Sequence, residues 1–487
     1  MMENQEKKAG LTTASDPEKL ERGLNTTSSS EAGVGVDGER NLDHPDDVAE
    51  GPANIFSEGG KTFRTMGRWD TAFVLITNQV GLGILSLPGI LRTLGLVPGI
   101  IAILGFGALA TYTAYVLLQF YLRHPHVVNI VDMCRVMGGK TAETVAAICL
   151  LVQLILICAS TTVTISIAFN TLSSHAMCPV GFIGISALAC WVLCLPRTVQ
   201  FIAHVGIPAT LSILIAIFIV MISLGIADPK QAPPGWEKEI LVAGNPTFKE
   251  GLNACINVAL AFAGNAGFVS FMAEMKDPGR DFIPALFALQ AFSIPIYLVV
   301  AITIYCLAGQ YTASPALGSA PEIPAKVAYG VVLLCLLSTG LVYGHTAIKF
   351  LYVSIMRALK ATDELTKNTV RPWAVWIGSA TIFWLLAFVI ANAIPIFDSI
   401  LNIASSTFVA WFTFGLNAIL WLFMNKHQLL LNWKKTSLTV LNVAVVAMTL
   451  FMNGAGLWAG ITTLIDIFND ADGGITGAFT CSDNSIF

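Results

Sequence analysis

Two apolar runs carry residues that a simple lipid-facing helix does not tolerate. The first, Ile76 to Arg92 (ITNQVGLGILSLPGILR), contains Asn78, Gln79, Gly81, Gly83 and Pro88. The second, Leu260 to Ser270 (LAFAGNAGFVS), contains Asn265 bracketed by Gly264 and Gly267. A helix interrupted inside a membrane survives only where protein or a water-filled cavity satisfies the freed backbone groups. The chemistry such a break offers is definite. Free N–H groups at the start of a half-helix, with the positive end of its dipole, suit an anion. Carbonyls exposed at the end of the other half suit a cation. A binding site at the two breaks is therefore the first expectation.

The elements that must hold these breaks are membrane helices. Of 487 residues, 55% are hydrophobic and 12% charged, against roughly 25% charged in ordinary soluble domains, and the mean hydropathy is +0.71. Apolar runs of about 20 residues occur eleven times, over residues 70–94, 97–122, 141–173, 179–195, 199–226, 251–275, 282–309, 325–358, 372–392, 397–424 and 436–465. The chain thus reads as an all-α polytopic membrane protein with eleven transmembrane helices. Its transporter-sized domain covers 61–465. Residues 1–60, with thirteen acidic and five basic side chains and few large apolar ones, read as a disordered tail. Lys and Arg in the loops fall sixteen on the side of the N-terminus and five on the other, namely Arg92, Lys230, Lys238, Lys249 and Lys326. The positive-inside rule then places the N-terminus in the cytoplasm and the tail 466–487 outside. On that oxidising side stand Cys178 and Cys481, the two cysteines in polar segments, and a disulfide between them is expected. The interrupted spans are the first and the sixth, each opening a set of five. That pattern points to an inverted 5+5 repeat with its site at the repeat interface, the eleventh span being an addition.

The interrupted segments also carry a family likeness. Asn78-Gln-Val-Gly-Leu-Gly-Ile-Leu-Ser-Leu-Pro resembles the first-helix signature of the amino acid/auxin permease family, and Phe271-Met-Ala-Glu-Met-Lys-Asp-Pro-Gly-Arg-Asp-Phe resembles that family's segment after its broken sixth helix. The likeness extends over about 60–465 and is closest to fungal neutral amino acid permeases of the methyltryptophan-resistance type. It implies a leucine-transporter-like fold and uptake of neutral amino acids coupled to an ion gradient. Sodium-using relatives often carry Asn where this chain has Thr77, with Asn78 one position away, so the resemblance does not supply a sodium ligand set.

For an amino acid zwitterion the expected contacts are the backbone of Gly81, Leu82 and Gly83 for the carboxylate, and carbonyls near Thr77 and Phe262 for the ammonium. Asn78, Gly264, Gly267 and Asn265 complete the breaks, with Asn265 as a direct contact. Tyr343, Phe262, Phe268, Val163 and Phe408 are candidate walls, and Ser405, Ser406 and Thr407 either touch substrate or bond their own helix. No Asp, Glu or Arg lies at mid-depth in the first, third, sixth, eighth or tenth span, so the substrate side chain is expected to be neutral, and large aliphatic or aromatic. The intramembrane candidates for ion coupling are His204, His345 and Lys349. A histidine can change charge near neutral pH, although each can equally be a neutral core residue, and Lys349 can snorkel to the surface. Proton is the expected co-transported ion, sodium the alternative.

Glu274 is either a gate or an interface charge. Lys7, Lys8 and Lys19 offer sites for trafficking or ubiquitination machinery. The plasma membrane is the expected location, a vacuolar membrane the alternative. No cofactor, metal or nucleic acid is implied: HExxH, GxSxG and CxxC are all missing from the sequence, and His124-Pro-His126 has no cluster to complete it. A sensor without transport is the remaining rival.

Overall fold

The computed structural model describes residues 66–197, 200–361, 364, 365, 367, 369–394, 396–469 and 478–481, side chains of 200–204 excepted. The acidic tail expected over 1–60 and most of the tail over 466–487 lie outside the described residues. Among the described residues the regular elements are helices, apart from one parallel bridge between Met66 and Met275.

The first apolar run is split. Helix α1 (Arg68–Gln79) ends at Val80, a single 3-10 turn covers Leu82–Leu85, and α2 (Leu87–Leu94) resumes with Pro88 in its first turn, where a missing N–H costs nothing. Then follow α3 (Leu96–Arg123), α4 (Ile130–Ser173, kinked at Gly138–Gly139), α5 (Pro179–Cys194) and α6 (Gln200–Ile226). The sixth run is split as well, into α7 (Phe248–Ala261) and α8 (Asn265–Glu274). Helices α9 (Pro278–Ala308), α10 (Glu322–Ala358) and α11 (Val370–Ala393) are continuous. The tenth run is α12 (Phe397–Ala404), two π turns over Ser405–Val409 and Trp411–Gly415, and α13 (Leu416–Met424). Helix α14 (Trp433–Asn469) ends the bundle.

All eleven expected ranges are helical, yet among the described residues nine helices are long and apolar enough to cross a membrane. The shortfall has two physical causes. The first run is cut into pieces of 12 and 8 residues, and α5, at 16 residues, spans about 24 Å at 1.5 Å per residue.

Polar residues fix where the helices around the second break begin. Thr247 accepts from the Glu250 N–H while the Glu250 carboxylate accepts from the Thr247 N–H at 2.9 Å, a reciprocal cap that starts α7. Asp277 accepts from the Arg280 N–H at 3.2 Å and, with Pro278, starts α9 immediately after α8. Helix α10 packs on α4 and α6, and α11 on α4, α5 and α10; α1, α2 and α3 pack on α9; α14 lies against α7, α12 and α13.

Both ends of the split helices are tied. At one end the Leu96 and Val97 N–H groups donate to Leu241 and Val242 carbonyls, and the Gly244 N–H to Leu94, at 2.8 to 2.9 Å, so the loop before α7 straps the turn between α2 and α3. At the other, the Met66 N–H donates to the Glu274 carbonyl and Lys276 N–H to Met66, both at 3.1 Å, and Arg68 pairs with Asp281 on α9 at 2.9 Å. Cys178 and Cys481 form a disulfide, and the Phe479 N–H donates to Asn392 at the end of α11, a second link to the C-terminal segment.

Gly95 makes the strap possible, with φ +89° and with the site of a Cβ only 2.3 Å from the Gly244 nitrogen. Gly95→Ala is expected to destabilise the purified protein by about 2 kcal/mol or more, from left-handed strain and displacement of the strap. A drop in the thermal unfolding midpoint checks this.

Candidate functional site

The two breaks lie face to face. Asn78, in the last turn of α1, donates its Nδ2 to the Gly264 carbonyl at 3.2 Å, and a Cβ on Gly267 would lie 3.3 Å from the Asn78 Oδ1. The sites touch backbone to backbone at Gly83, where a Cβ would stand 2.7 Å from the Ala261 Cα. Tyr297 of α9 sits over both. Its hydroxyl is 3.1 Å from the Gln79 carbonyl and 3.0 Å from the Ala261 carbonyl, the last acceptors before each break. One hydroxyl hydrogen therefore serves two acceptors. Gln79 itself donates Nε2 to Ser293 Oγ at 3.1 Å, and Ser293 donates to Gln290 Oε1 at 3.3 Å.

This arrangement leaves backbone groups over. Among the described residues the N–H groups of Gly81, Leu82 and Gly83 have no hydrogen-bond partner, and neither do those of Gly264, Asn265 and Ala266. The carbonyls of Thr77, Asn78, Phe262 and Ala263 are likewise without a donor. Each break thus presents a cluster of donors on one side and acceptors on the other, which is the equipment for binding one anionic and one cationic group together.

The other expected residues are placed as follows. Thr77 hydroxyl donates to Val74 within α1, and its side chain lies against Gly206 of α6. Leu82 is buried in the 3-10 turn. The Phe262 side chain is buried edge-on to Tyr297, with ring centroids 5.3 Å apart; Phe268 packs against Phe282 and lies against the second break, its ring 2.9 Å from where a Cβ on Gly264 would stand. Gly267 is inside the first turn of α8, so the interruption is Phe262–Gly264, and Asn265 does not sit within it. The Asn265 amide nitrogen is within reach of the Ala110 carbonyl, Thr113 Oγ1 and the Thr413 carbonyl, at 3.4, 2.8 and 3.2 Å. Two hydrogens are already spoken for by α3 and the second π turn. Its Oδ1 has no partner among the described residues.

Tyr343 is half-buried on α10. Ser405 Oγ is fully buried and has no partner among the described residues, whereas Ser406 and Thr407 bond carbonyls of their own helix. Val163 is buried and Phe408 half-buried.

His345 is held by packing. Its Nε2 is 3.1 Å from the Pro196 carbonyl, which can only accept, so that nitrogen carries the hydrogen; the ring stacks obliquely on Trp376. Lys349 and Glu274 are electrostatic neighbours, linking α8 to α10. His204 is on α6, and its side chain lies outside those described. Among the described residues no group of three His, Cys, Asp or Glu side chains could hold a metal.

Three contributors were missed from sequence. Tyr297 was hidden in an apolar run, although Gln290, Ser293 and Tyr297 stand at i, i+3 and i+7, one helical face. Arg92 and Asp398 were missed because they belong to different spans: Arg92 donates to the Thr312 carbonyl at 2.7 Å, Ser314 donates to Asp398 at 2.9 Å, and the two charges are neighbours, so α2 and α12 meet through the 312–314 loop.

The family described as transmembrane amino acid transporter protein matches residues 64–462. An N amino acid transport system protein of Neurospora crassa is 32% identical, covering 87% of this chain and 90% of its own length. A transmembrane transporter of Fusarium pseudograminearum is 28% identical over 94% of this chain and 97% of its own. Among solved structures, a nucleobase-cation-symport-1 family transporter in a closed conformation with bromovinylhydantoin bound is 14% identical, with a TM-score of 0.49, over 83% of this chain and 92% of that one, a likeness too slight to carry weight.

Tyr297→Phe leaves both carbonyls at the breaks without the hydroxyl, and is expected to cost about 1 to 3 kcal/mol, read as a lower unfolding midpoint. Gly83→Ala is expected to lower it further than Gly81→Ala, since no atom lies within 4 Å of a Cβ at Gly81.

Proposed function

The chain belongs to the transmembrane amino acid transporter family, the amino acid/auxin permeases, and we propose that it is a secondary active symporter importing neutral amino acids on a proton gradient. The observation that carries this reading is the pair of breaks: unpaired N–H groups at Gly81 to Gly83 beside unpaired carbonyls at Thr77, Asn78 and Phe262. The donors take the substrate carboxylate and the acceptors take its ammonium. These are backbone groups, so they define the amino acid and leave selectivity to the walls. The wall residues are Phe262, Tyr343 and Ser405, and with no Asp, Glu or Arg at mid-depth in the first, third, sixth, eighth or tenth span the preferred substrates are large aliphatic or aromatic ones.

In this reading the first five and next five spans are inverted repeats, giving eleven crossings with α14 added and α5 spanning a thinned part of the bilayer. The N-terminus is cytoplasmic and the protein works at the plasma membrane. Glu274, beside Lys349, is the gate at the α1 and α8 end. His345, His204 and Lys349 are the coupling candidates, and His345 is held at the Pro196 carbonyl. One charge crossing 100 mV is worth about 2.3 kcal/mol, which supports roughly fortyfold accumulation at about 1.4 kcal/mol per tenfold.

The test uses the full chain in proteoliposomes. Counterflow of a labelled neutral amino acid is expected, with leucine, phenylalanine and tryptophan competing better than lysine or glutamate. Uptake is expected to rise as outside pH falls from 8 to 5 at fixed sodium. No exchange at all would favour a sensor, and uptake that is flat with pH but follows sodium would replace the proton.

A further inference from the structure

Helices α7, α12 and α14 meet along a line furnished with amides where aliphatic side chains are the norm. It opens at the Lys249–Asp466 ion pair between α7 and α14. One turn along α7, Asn253 donates to Thr463 Oγ1 at 3.0 Å, and Asn257 follows one turn later. A Cβ on Gly460 would lie 3.8 Å from the Asn402 Cβ of α12, and one on Gly456 would lie 2.4 Å from Ile256 Cδ1 of α7 and 3.1 Å from Ser406 Cβ in the first π turn. At the far end Asn453 of α14 donates to the Ser406 and Thr407 carbonyls at 3.2 and 3.3 Å, in the first π turn.

Along this line Asn253 Oδ1, Asn257 Oδ1, Asn402 Oδ1 and Ser405 Oγ have no hydrogen-bond partner among the described residues, in residues 8, 6, 5 and 0% exposed. A buried acceptor left unmade costs about 1 to 3 kcal/mol, so four in one seam call for donors. Three are amide oxygens, which only accept. They are spread over about two helical turns and do not converge on a point, so they suit a row of small donors better than a single cation, whose oxygen ligands must all lie within about 2.6 Å of it. Water, with two to four partners each, fits. The charges around the seam are Lys249, Glu250 in its cap, Asp398 at the start of α12 and Asp466; between Thr449 and Asp466, α14 carries no other.

We propose that this seam holds a file of water molecules from the Lys249–Asp466 pair to the π turn beside the break after α7, and that the file is the path of the driving proton. Protons pass along it by exchange of hydrogen bonds between successive waters. The second half rests on the proton-driven reading above; the hydration does not.

Two measurements test it on the full chain in liposomes. In hydroxyl-radical footprinting, Met452, buried and one turn from Gly456, is expected to be labelled like the exposed Met177 and far faster than the buried Met272; labelling as slow as that of Met272 overturns the file. Asn257→Leu with Asn402→Leu is expected to lose uphill accumulation driven by a pH gradient while counterflow persists, and unchanged accumulation overturns the route. If the leucine pair also loses counterflow, Asn257→Ser with Asn402→Ser, which keeps an acceptor at each level, decides: retained accumulation supports the route and lost accumulation overturns it. A wild-type protein that exchanges substrate but ignores the pH gradient refutes the driving ion and leaves the footprint to judge the water.

Discussion

An N–H or C=O group inside a bilayer has to find a partner within the protein, and nearly everything about this chain follows from meeting that requirement at two places where a helix is cut. A continuous helix satisfies its own backbone. Cutting one at Gly81 and another at Phe262–Gly264 frees groups that other elements must answer. Asn78 answers the Gly264 carbonyl, and Tyr297 answers Gln79 and Ala261. Among the described residues what is left unanswered is grouped by sign, N–H groups at Gly81 to Gly83 and carbonyls at Thr77, Asn78 and Phe262.

How much of this was legible in the sequence differs with the kind of feature. The cuts were legible, because glycine and asparagine inside an apolar run are locally costly and have no other use that repeats at matching positions. Nine helices long and apolar enough to cross a membrane, among the described residues, were legible from hydropathy. The direction of Asn265 was not: sequence places a side chain on a helix but does not say which neighbour it turns to, and three acceptors on α3 and the second π turn capture this one. Tyr297 was obscured for a related reason, since a tyrosine among leucines and isoleucines is most often core, and its partners lie more than 200 residues earlier and 36 residues earlier in the chain. The same limit hid the meeting of Arg92 with Asp398, two charges at the ends of unrelated spans.

Gly83 shows how one glycine can meet two requirements at once. Its presence in the first run pointed to an opened backbone, and the backbone there is opened. The side-chain hydrogen is nevertheless needed for a different reason: α7 passes so close that a Cβ would meet the Ala261 Cα at 2.7 Å. Gly81, with open space around it, is the position that faces the cleft. The π turns after α12 add a similar lesson, because nothing in Ser405 to Gly415 announces a wider helical turn, yet such turns collect at functional sites and this one is held by Asn453 from the helix that stands outside the expected repeats.

The ties at the two ends of the cut helices divide the molecule mechanically. Beyond one end of the breaks, the strap of Leu241 to Gly244 locks the start of α7 to the junction of α2 and α3. Beyond the other, Met66 and Arg68 lock α1 to α8 and α9. Each cut helix is therefore two levers on a shared axle, with the outer arms of both helices yoked together and the inner arms yoked separately. Among the described residues the two yokes share no hydrogen bond, so one can loosen while the other stays formed.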